Sequence, residues 1–217
     1  MKLVLYHYTL CPFSRKIRFL LEELKIKYVK KEIEFWKDDK IFEVNITPEC
    51  PVLHIEKNNV FIQDSYLISE YLIDIANRSD LYGDEPLKVK RLTMLSDKNF
   101  YNDVTGLFLY EKIYNHLGKV NCDNIEIARK NMKKYLLIIE KLLSKSEFVA
   151  GDYFTISDIS ISTQISTIDF LGEINFNKYP EIKRWYLLIK SKPSFDAILQ
   201  DKNILIRPPH NYTKVDF

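Results

Sequence analysis

Leu3-Val4-Leu5-Tyr6-His7-Tyr8-Thr9-Leu10-Cys11-Pro12-Phe13-Ser14-Arg15-Lys16-Ile17-Arg18-Phe19-Leu20-Leu21-Glu22-Glu23-Leu24 is the stretch on which the reading of the fold turns. Its first four residues are a short apolar run that ends in a polar, proline-containing turn. The apolar positions that follow, Phe13, Ile17, Leu20, Leu21 and Leu24, recur at helical spacing. The order is strand, loop, helix. Arg15, Lys16, Arg18, Glu22 and Glu23 fall between the apolar positions and are expected to form the solvated face of an amphipathic helix. The cluster of Arg15, Lys16 and Arg18 offers either a surface for an acidic partner or ordinary solvation of the helix, and solvation is the plainer reading.

Working outward, Tyr28 to Ile33 alternates as a strand does and completes a βαβ unit, for which the usual right-handed crossover is expected. Val52 to Ile55 and Val60 to Ile62 flank Lys57-Asn58-Asn59, whose asparagines tolerate the left-handed backbone of a tight hairpin. Asp64-Ser65 then offers an N-cap ahead of Leu67, Ile68, Tyr71, Leu72 and Ile75 at helical spacing. From Ser79 to Pro86 periodicity gives way to turn formers, and beyond that point strand signals vanish.

Helical patterns run from Leu87 to about Leu117 and from Ile125 to about Leu143. Thr155-Ile156-Ser157-Asp158 has capping-box spacing, and the helix it opens carries Ile159, Ile161, Ile165, Ile168 and Leu171 with serines and threonines between them, a pattern buried on most sides. A further helix follows Pro180 through Trp185, Leu188 and Ile189, and Pro193 begins a short last one. The expected organisation is an α/β domain over residues 1–78, a linker at 79–86, an all-helical domain over 87–200 and an extended tail at 201–217. Pro208-Pro209, His210, Tyr212 and Phe217 make that tail too apolar for a typical disordered terminus, so it is expected to dock on its own domain or on a partner.

Composition narrows the function. With 217 residues, 46% of them hydrophobic and 29% charged, the chain can bury a substantial core in one large domain or two smaller ones. The 32 basic and 30 acidic side chains nearly cancel, so the net charge of +2 gives no reason to expect phosphate-driven nucleic-acid binding. No apolar run reaches the roughly 18 to 20 residues a membrane span requires, and the opening Met1 to His7 is too short for a signal peptide, so a cytosolic protein is expected. Cys11, Cys50 and Cys122 are odd in number and widely spaced, which suits reduced thiols. The four histidines and the lack of Cys-x-x-Cys or His-x-x-x-His spacing argue against a zinc site, and no metal is assigned.

Cys11-Pro12-Phe13-Ser14-Arg15-Lys16-Ile17-Arg18 resembles the active-site segment of the cytosolic glutathione transferases. Pro51-Val52-Leu53 resembles their cis-proline turn, and Gln63-Asp64-Ser65 their acidic-residue-plus-serine clamp. Ala150-Gly151-Asp152 with Thr155 to Ile159, and Tyr179-Pro180 through Trp185 to Phe195, are similar to motifs of the family's helical domain. The resemblance covers nearly the whole chain and implies a thioredoxin-like α/β N-terminal domain, an all-α C-terminal domain, glutathione as co-substrate and a homodimer. A narrower likeness joins Leu10 to Lys16, Asp169-Phe170-Leu171-Gly172-Glu173, Lys190 to Phe195 and the ending Pro209-His210-Asn211-Tyr212 to Asp216-Phe217. Those runs are similar to bacterial glutathione-transferase-like proteins that bind the tubulin-like division protein FtsZ and regulate cytokinesis.

Within this frame Cys11 and Ser14 are the catalytic candidates. Cys11 precedes the first helix, where unpaired amides and the positive end of the helix dipole lower a thiol's pKa. Ser14 takes the partner position of a Cys-x-x-Cys motif, so a local disulfide cannot form, and the segment suits monothiol exchange or a mixed disulfide with glutathione. Cys50, Pro51, Asp64 and Ser65 are the substrate-binding candidates. A cis Pro51 would present the backbone of Cys50 to an extended peptide, and Asp64-Ser65 would supply an anion site that also serves as an N-cap. Cys50 stands where the family commonly has valine and reads as a small buried side chain. Pro48 stands where glycine is common and stiffens the loop.

Thr155 and Asp158 are assigned a structural, capping role. Tyr101, Phe108 and Tyr110 could line a pocket for an apolar substrate, with core packing or a dimer contact as the default. Two roles stay open: an enzyme conjugating or reducing small electrophiles, and a regulator using the same fold as an interaction platform with weak or absent glutathione chemistry. The match in the tail favours the regulator, since glutathione chemistry has no use for a tail.

Overall fold

The structure, a computed structural model, describes residues 2–34, 42–43, 45, 47, 49–115 and 117–214. The chain forms two compact units, one made of Met1–Ser79 with Ser194–Asn203, the other of Asp80–Pro193 with Ile204–Phe217.

The first unit is built on a four-stranded mixed sheet in the order β2-β1-β3-β4. The apolar run at the chain's start becomes β1 (Leu3–His7), followed by α1 (Pro12–Glu23), with Pro12 filling the first helical position, where its missing amide costs nothing. β2 (Val29–Glu32) lies parallel to β1, and β3 (Val52–Ile55) lies antiparallel on the other side of β1. β4 (Val60–Gln63) closes the hairpin, whose turn holds Asn59 at φ 51°, and α2 (Ser65–Ile75) follows.

The α1 pattern requires a correction. Of the five charged residues expected on a solvated face, only Glu22 is exposed, and Glu23 is half-buried. Arg15, Lys16 and Arg18 have 0%, 1% and 2% of their surface accessible. The reason is the C-terminal segment of this unit, Ser194–Asn203, whose helix α8 (Asp196–Leu199) lies against α1. Phe195 packs edge-on against Phe19 with 5.0 Å between ring centroids, and Asp201 supplies the counter-charge for the arginines. A helix read alone cannot show that chain 180 residues away will cover it.

The second unit is helical throughout. α3 (Pro86–Met94) runs without a break into π-helical turns at Leu95–Thr105, then α4 (Gly106–Leu109), then a second π stretch at Tyr110–Tyr114. The pattern predicts one helix to about Leu117. The chain instead leaves helical geometry at Asn115, and apolar spacing does not report which carbonyl each amide selects.

α5 (Cys122–Leu143) is capped by Asn121, whose side chain accepts from the amides of Asp123 and Asn124 at 2.9 and 3.4 Å. α6 (Ile156–Phe170) is the centre of the unit, with all fifteen residues buried. Its hydroxyls make this possible by donating to carbonyls about one turn back: Ser162 to Ile159, Thr163 to Ser160 and Thr167 to Thr163, at 2.9 to 3.0 Å. α7 (Pro180–Lys190) again starts on a proline.

Tyr212 of the C-terminal stretch is fully buried in this unit. Its ring meets Phe170 edge-on at 5.2 Å, and its hydroxyl lies 3.0 Å from Ser166 Oγ. Tyr212 therefore seats the later part of the expected tail on the helical unit, while residues 201–203 belong to the first unit and the ending Asp216-Phe217 lies outside the described residues.

Candidate functional site

Strand register explains why three separated segments of the first unit come together. Tyr6 pairs with Val52, and Val52 pairs with Gln63, so the three residues form one row across β1, β3 and β4. The loop leaving β1 toward Cys11, the Cys50-Pro51 step entering β3, and Asp64-Ser65 leaving β4 therefore all lie at the same end of the sheet. The Cys50–Pro51 peptide bond is cis. Pro48 lies outside the described residues.

Cys11 is the N-cap residue of α1, with extended backbone (φ −67°, ψ 120°) and 3% of its surface accessible. As a thiol it donates to the Cys50 carbonyl at 3.6 Å. Burial pushes its pKa up, but donors outweigh burial: the Cys50 thiol, the amides of Ser14 and Phe13 and the Ser14 hydroxyl all favour the anion, and the net direction is down. Cys50, 7% accessible, moves the other way. Burial and the neighbouring Cys11 sulfur hold its proton well above the usual thiol range.

Ser14 Oγ accepts from the Tyr8 amide at 3.2 Å and donates to Cys50 Sγ at 3.4 Å. Cys50 is thus a member of the thiol cluster. The sequence gives no sign of this, because the contact spans 39 residues and depends on how β3 registers against β1.

Around the thiols, the Tyr8 hydroxyl accepts from Asn203 Nδ2 at 2.9 Å, and burial raises its pKa beyond the normal phenol range, so it is a neutral phenol at physiological pH. His7 is buried beside it. Burial and the positive charges of Arg18 and Lys30 lower the His7 pKa to about 3, and Nδ1 has no hydrogen-bond partner among the described residues. Asp64 caps α2 with its carboxylate accepting from the Tyr66 amide at 2.6 Å, and its φ of 72° places a non-glycine residue in the left-handed region. Ser65 begins α2 and is buried.

Behind α1's first turns lies an ion-pair network that sequence reasoning missed. Arg18 reaches both Asp201 oxygens at 2.7 and 3.0 Å, and Arg15 Nη2 reaches the same carboxylate at 3.1 Å. Arg15 Nε donates to the Thr9 carbonyl at 3.0 Å, and Arg18 also donates to the carbonyl of Ala197. The only available signal is that two arginines three residues apart share one helix face and can address a single anion.

In the second unit Thr155 and Asp158 close a capping box, and Asp158 does more than cap. Its carboxylate accepts from the Val149 amide (3.0 Å), the Thr155 amide and hydroxyl (2.9 Å each) and the Trp185 indole (3.0 Å). Burial raises its pKa to about 6 against the pull of these donors. A second missed network centres on Lys190, which bridges Asp169 at 3.2 Å and the Tyr212 carbonyl at 2.6 Å, while the Tyr186 hydroxyl donates to Asp169 at 3.2 Å. Of the aromatic candidates, Phe108 is core, Tyr101 is half-buried and Tyr110 is exposed. The described residues contain no His, Cys, Asp or Glu group able to hold a metal ion, and no helix among them is long and apolar enough to cross a membrane.

A small mixed sheet with a thiol at the start of its first helix, followed by a helical unit whose central helix opens on a capping box, defines a class. Residues 5–80 match the glutathione S-transferase N-terminal domain and residues 109–202 the glutathione S-transferase C-terminal domain. The chain belongs to the glutathione S-transferase family. Among solved structures it is similar to a glutathione S-transferase from Rhodospirillum rubrum F11, at 32% identity and a TM-score of 0.93 over 99% of this chain and 100% of that one.

It is also similar to FzlA from C. crescentus, at 26% identity and a TM-score of 0.95 over the full length of both chains. Among curated proteins, FtsZ-localized protein A of Caulobacter vibrioides is 28% identical over 98% of this chain and 97% of its own length. Glutathione S-transferase D7 of Drosophila melanogaster is 24% identical over 83% and 81%.

Proposed function

We propose that this chain is a glutathione-transferase-family regulator of cell division that binds FtsZ, acting in the cytoplasm as a homodimer. The observation that carries the reading is the extent of similarity. Among the curated relatives compared, the match to FtsZ-localized protein A takes in almost all of both chains, whereas that to the Drosophila transferase leaves between a sixth and a fifth of each unmatched. A whole-length match includes the C-terminal stretch, which in this chain is seated on the helical unit through Tyr212 and Lys190. That seating would present a fixed surface to a polymer. Co-sedimentation with FtsZ filaments at low and at physiological salt tests the reading. Recovery in the pellet, strongest at low salt, is expected, and absence from the pellet at every salt concentration refutes it.

One observation favours a second reading, a glutathione-dependent transferase or thiol transferase with glutathione as co-substrate. Cys11 has the surroundings of a reactive thiol, with amide, hydroxyl and thiol donors that stabilise its anion. In this reading Cys11 and Ser14 serve the sulfur chemistry, and Cys50, Pro51, Asp64 and Ser65 hold the peptide. Calorimetric titration with millimolar glutathione, alongside Cys11→Ser, separates the two readings. No heat of binding at that concentration rules out the enzyme while leaving the FtsZ result untouched.

A further inference from the structure

Ser14 in the motif excludes a disulfide within the first helical turn, yet the fold supplies a second thiol from elsewhere. Cys11 and Cys50 are both free and both buried. Cys11 Sγ lies 3.6 Å from the Cys50 carbonyl, and the Ser14 hydroxyl lies 3.4 Å from Cys50 Sγ. We propose that Cys11 and Cys50 are a dithiol pair that exchanges with low-molecular-weight disulfides and closes to an intramolecular disulfide, giving the first unit a thiol–disulfide oxidoreductase step.

The environments assign the order. Cys11 sits at a helix N-terminus among donors and is the attacking thiolate. Its sulfur bonds to one sulfur of the disulfide R–S–S–R, the R–S–S–R bond breaks, and RS⁻ leaves to take up a proton from solvent. Cys50 then loses its proton and attacks Cys11 Sγ. The Cys11–Cys50 bond forms as the Cys11–SR bond breaks, and the second RS⁻ leaves with a proton. In sum two protein thiols and one disulfide become one protein disulfide and two small thiols, so the protein is oxidised by two electrons and the substrate reduced by two. Two equivalents of small thiol reverse the cycle. Ser14, within reach of both sulfurs, is the positioning residue.

Cys122, exposed and remote in sequence, serves as the internal control. The full chain is incubated with glutathione disulfide, quenched in acid, alkylated and mapped by mass spectrometry, as wild type and in a Cys122→Ser background. The expected product lacks two hydrogen atoms relative to the reduced chain, with Cys11 and Cys50 recovered as one cross-linked peptide. In Cys50→Ser the reaction should stop at a single glutathione adduct on Cys11, and in Cys11→Ser the two-hydrogen loss should vanish.

The proposal is overturned if the parental chain accumulates a stable glutathione adduct on Cys11 or Cys50 in place of the cross-link. It is equally overturned if both residues stay fully alkylatable while Cys122 takes up glutathione. The parental arm decides the matter even if a variant folds poorly.

Discussion

Replacing Asp201 by alanine tests whether the C-terminal segment holds the first helix in place. Its carboxylate is the counter-charge of two guanidinium groups that are, with it, almost wholly buried: the side chains of Arg15, Arg18 and Asp201 are 0%, 2% and 6% accessible. Removing one partner of a buried pair costs about 3 to 5 kcal/mol, because the remaining charge is stranded away from water. Two stranded cations would push the cost to the top of that range, but both arginines keep a carbonyl partner, at Thr9 and at Ala197. The expected loss is therefore about 4 kcal/mol, equivalent to about a thousandfold in an equilibrium constant.

Hydrogen exchange read by mass spectrometry localises the effect. Amide protection in α1 should fall by about that thousandfold at neutral pH, with denaturant unfolding showing a loss of similar size. Asp201→Asn, which keeps an acceptor and loses the charge, should fall between the two. Exchange in α1 within about threefold of wild type in Asp201→Ala would refute the reasoning, since it would mean that the carboxylate is not what balances the arginines.

The first unit should lose stability in acid. The folded His7 pKa of about 3 lies below the ordinary 6.5, so only the unfolded chain gains a proton on acidification. The contribution is complete above pH 6.5 and lost as pH falls toward 3; between pH 6.5 and 5 the loss is about 2 kcal/mol, read as falling protection in β1 and absent in His7→Gln. Asp158 should act in the opposite sense on the second unit. Its folded pKa of about 6 lies above the ordinary 3.8, so its contribution is complete below about pH 4 and lost as pH rises through 6, with α6 protection rising on acidification. Tyr212→Ala should cost about 3 to 5 kcal/mol of helical-unit stability and expose residues 205–214 to limited proteolysis, while Tyr212→Phe, which loses only the hydroxyl contact with Ser166, should cost about 1 kcal/mol.

Local rules carried much of the architecture. Proline at the first helical position, the Asn59 turn and the Thr155 capping box each depend on a few neighbouring residues, and the sequence reading of them needed nothing more. The relations that failed are long-range. Arg15 and Arg18 looked solvated because the residue that neutralises them is 183 positions beyond Arg18, and charge at intermediate helical positions ordinarily means water. Cys50 looked inert because nothing in its neighbourhood names Cys11; only the pairing of Leu5 with Leu53 and Tyr6 with Val52 brings the two loops together. Lys190 and Asp169 form a buried pair whose cost in an apolar setting is met by Tyr186 and by the tail's own carbonyls.

The long-range contacts of the first unit bear on the thiol site, because they converge on one helix. The first two turns of α1 carry Cys11 and Ser14 at the thiol cluster and Arg15 and Arg18 at Asp201. A dipole-stabilised thiolate needs the amides of Phe13 and Ser14 held in helical geometry, and the carboxylate of Asp201 fixes the turn immediately after them. Loosening Asp201 should therefore raise the Cys11 pKa as well as lower stability. A pH titration of Cys11 alkylation in the Cys122→Ser background distinguishes this from simple destabilisation. In Asp201→Ala the midpoint should move upward while Cys11 stays slower to react than an unfolded thiol. An unchanged midpoint would show that the site's electrostatics are set within the first turn alone, with the C-terminal segment serving stability only.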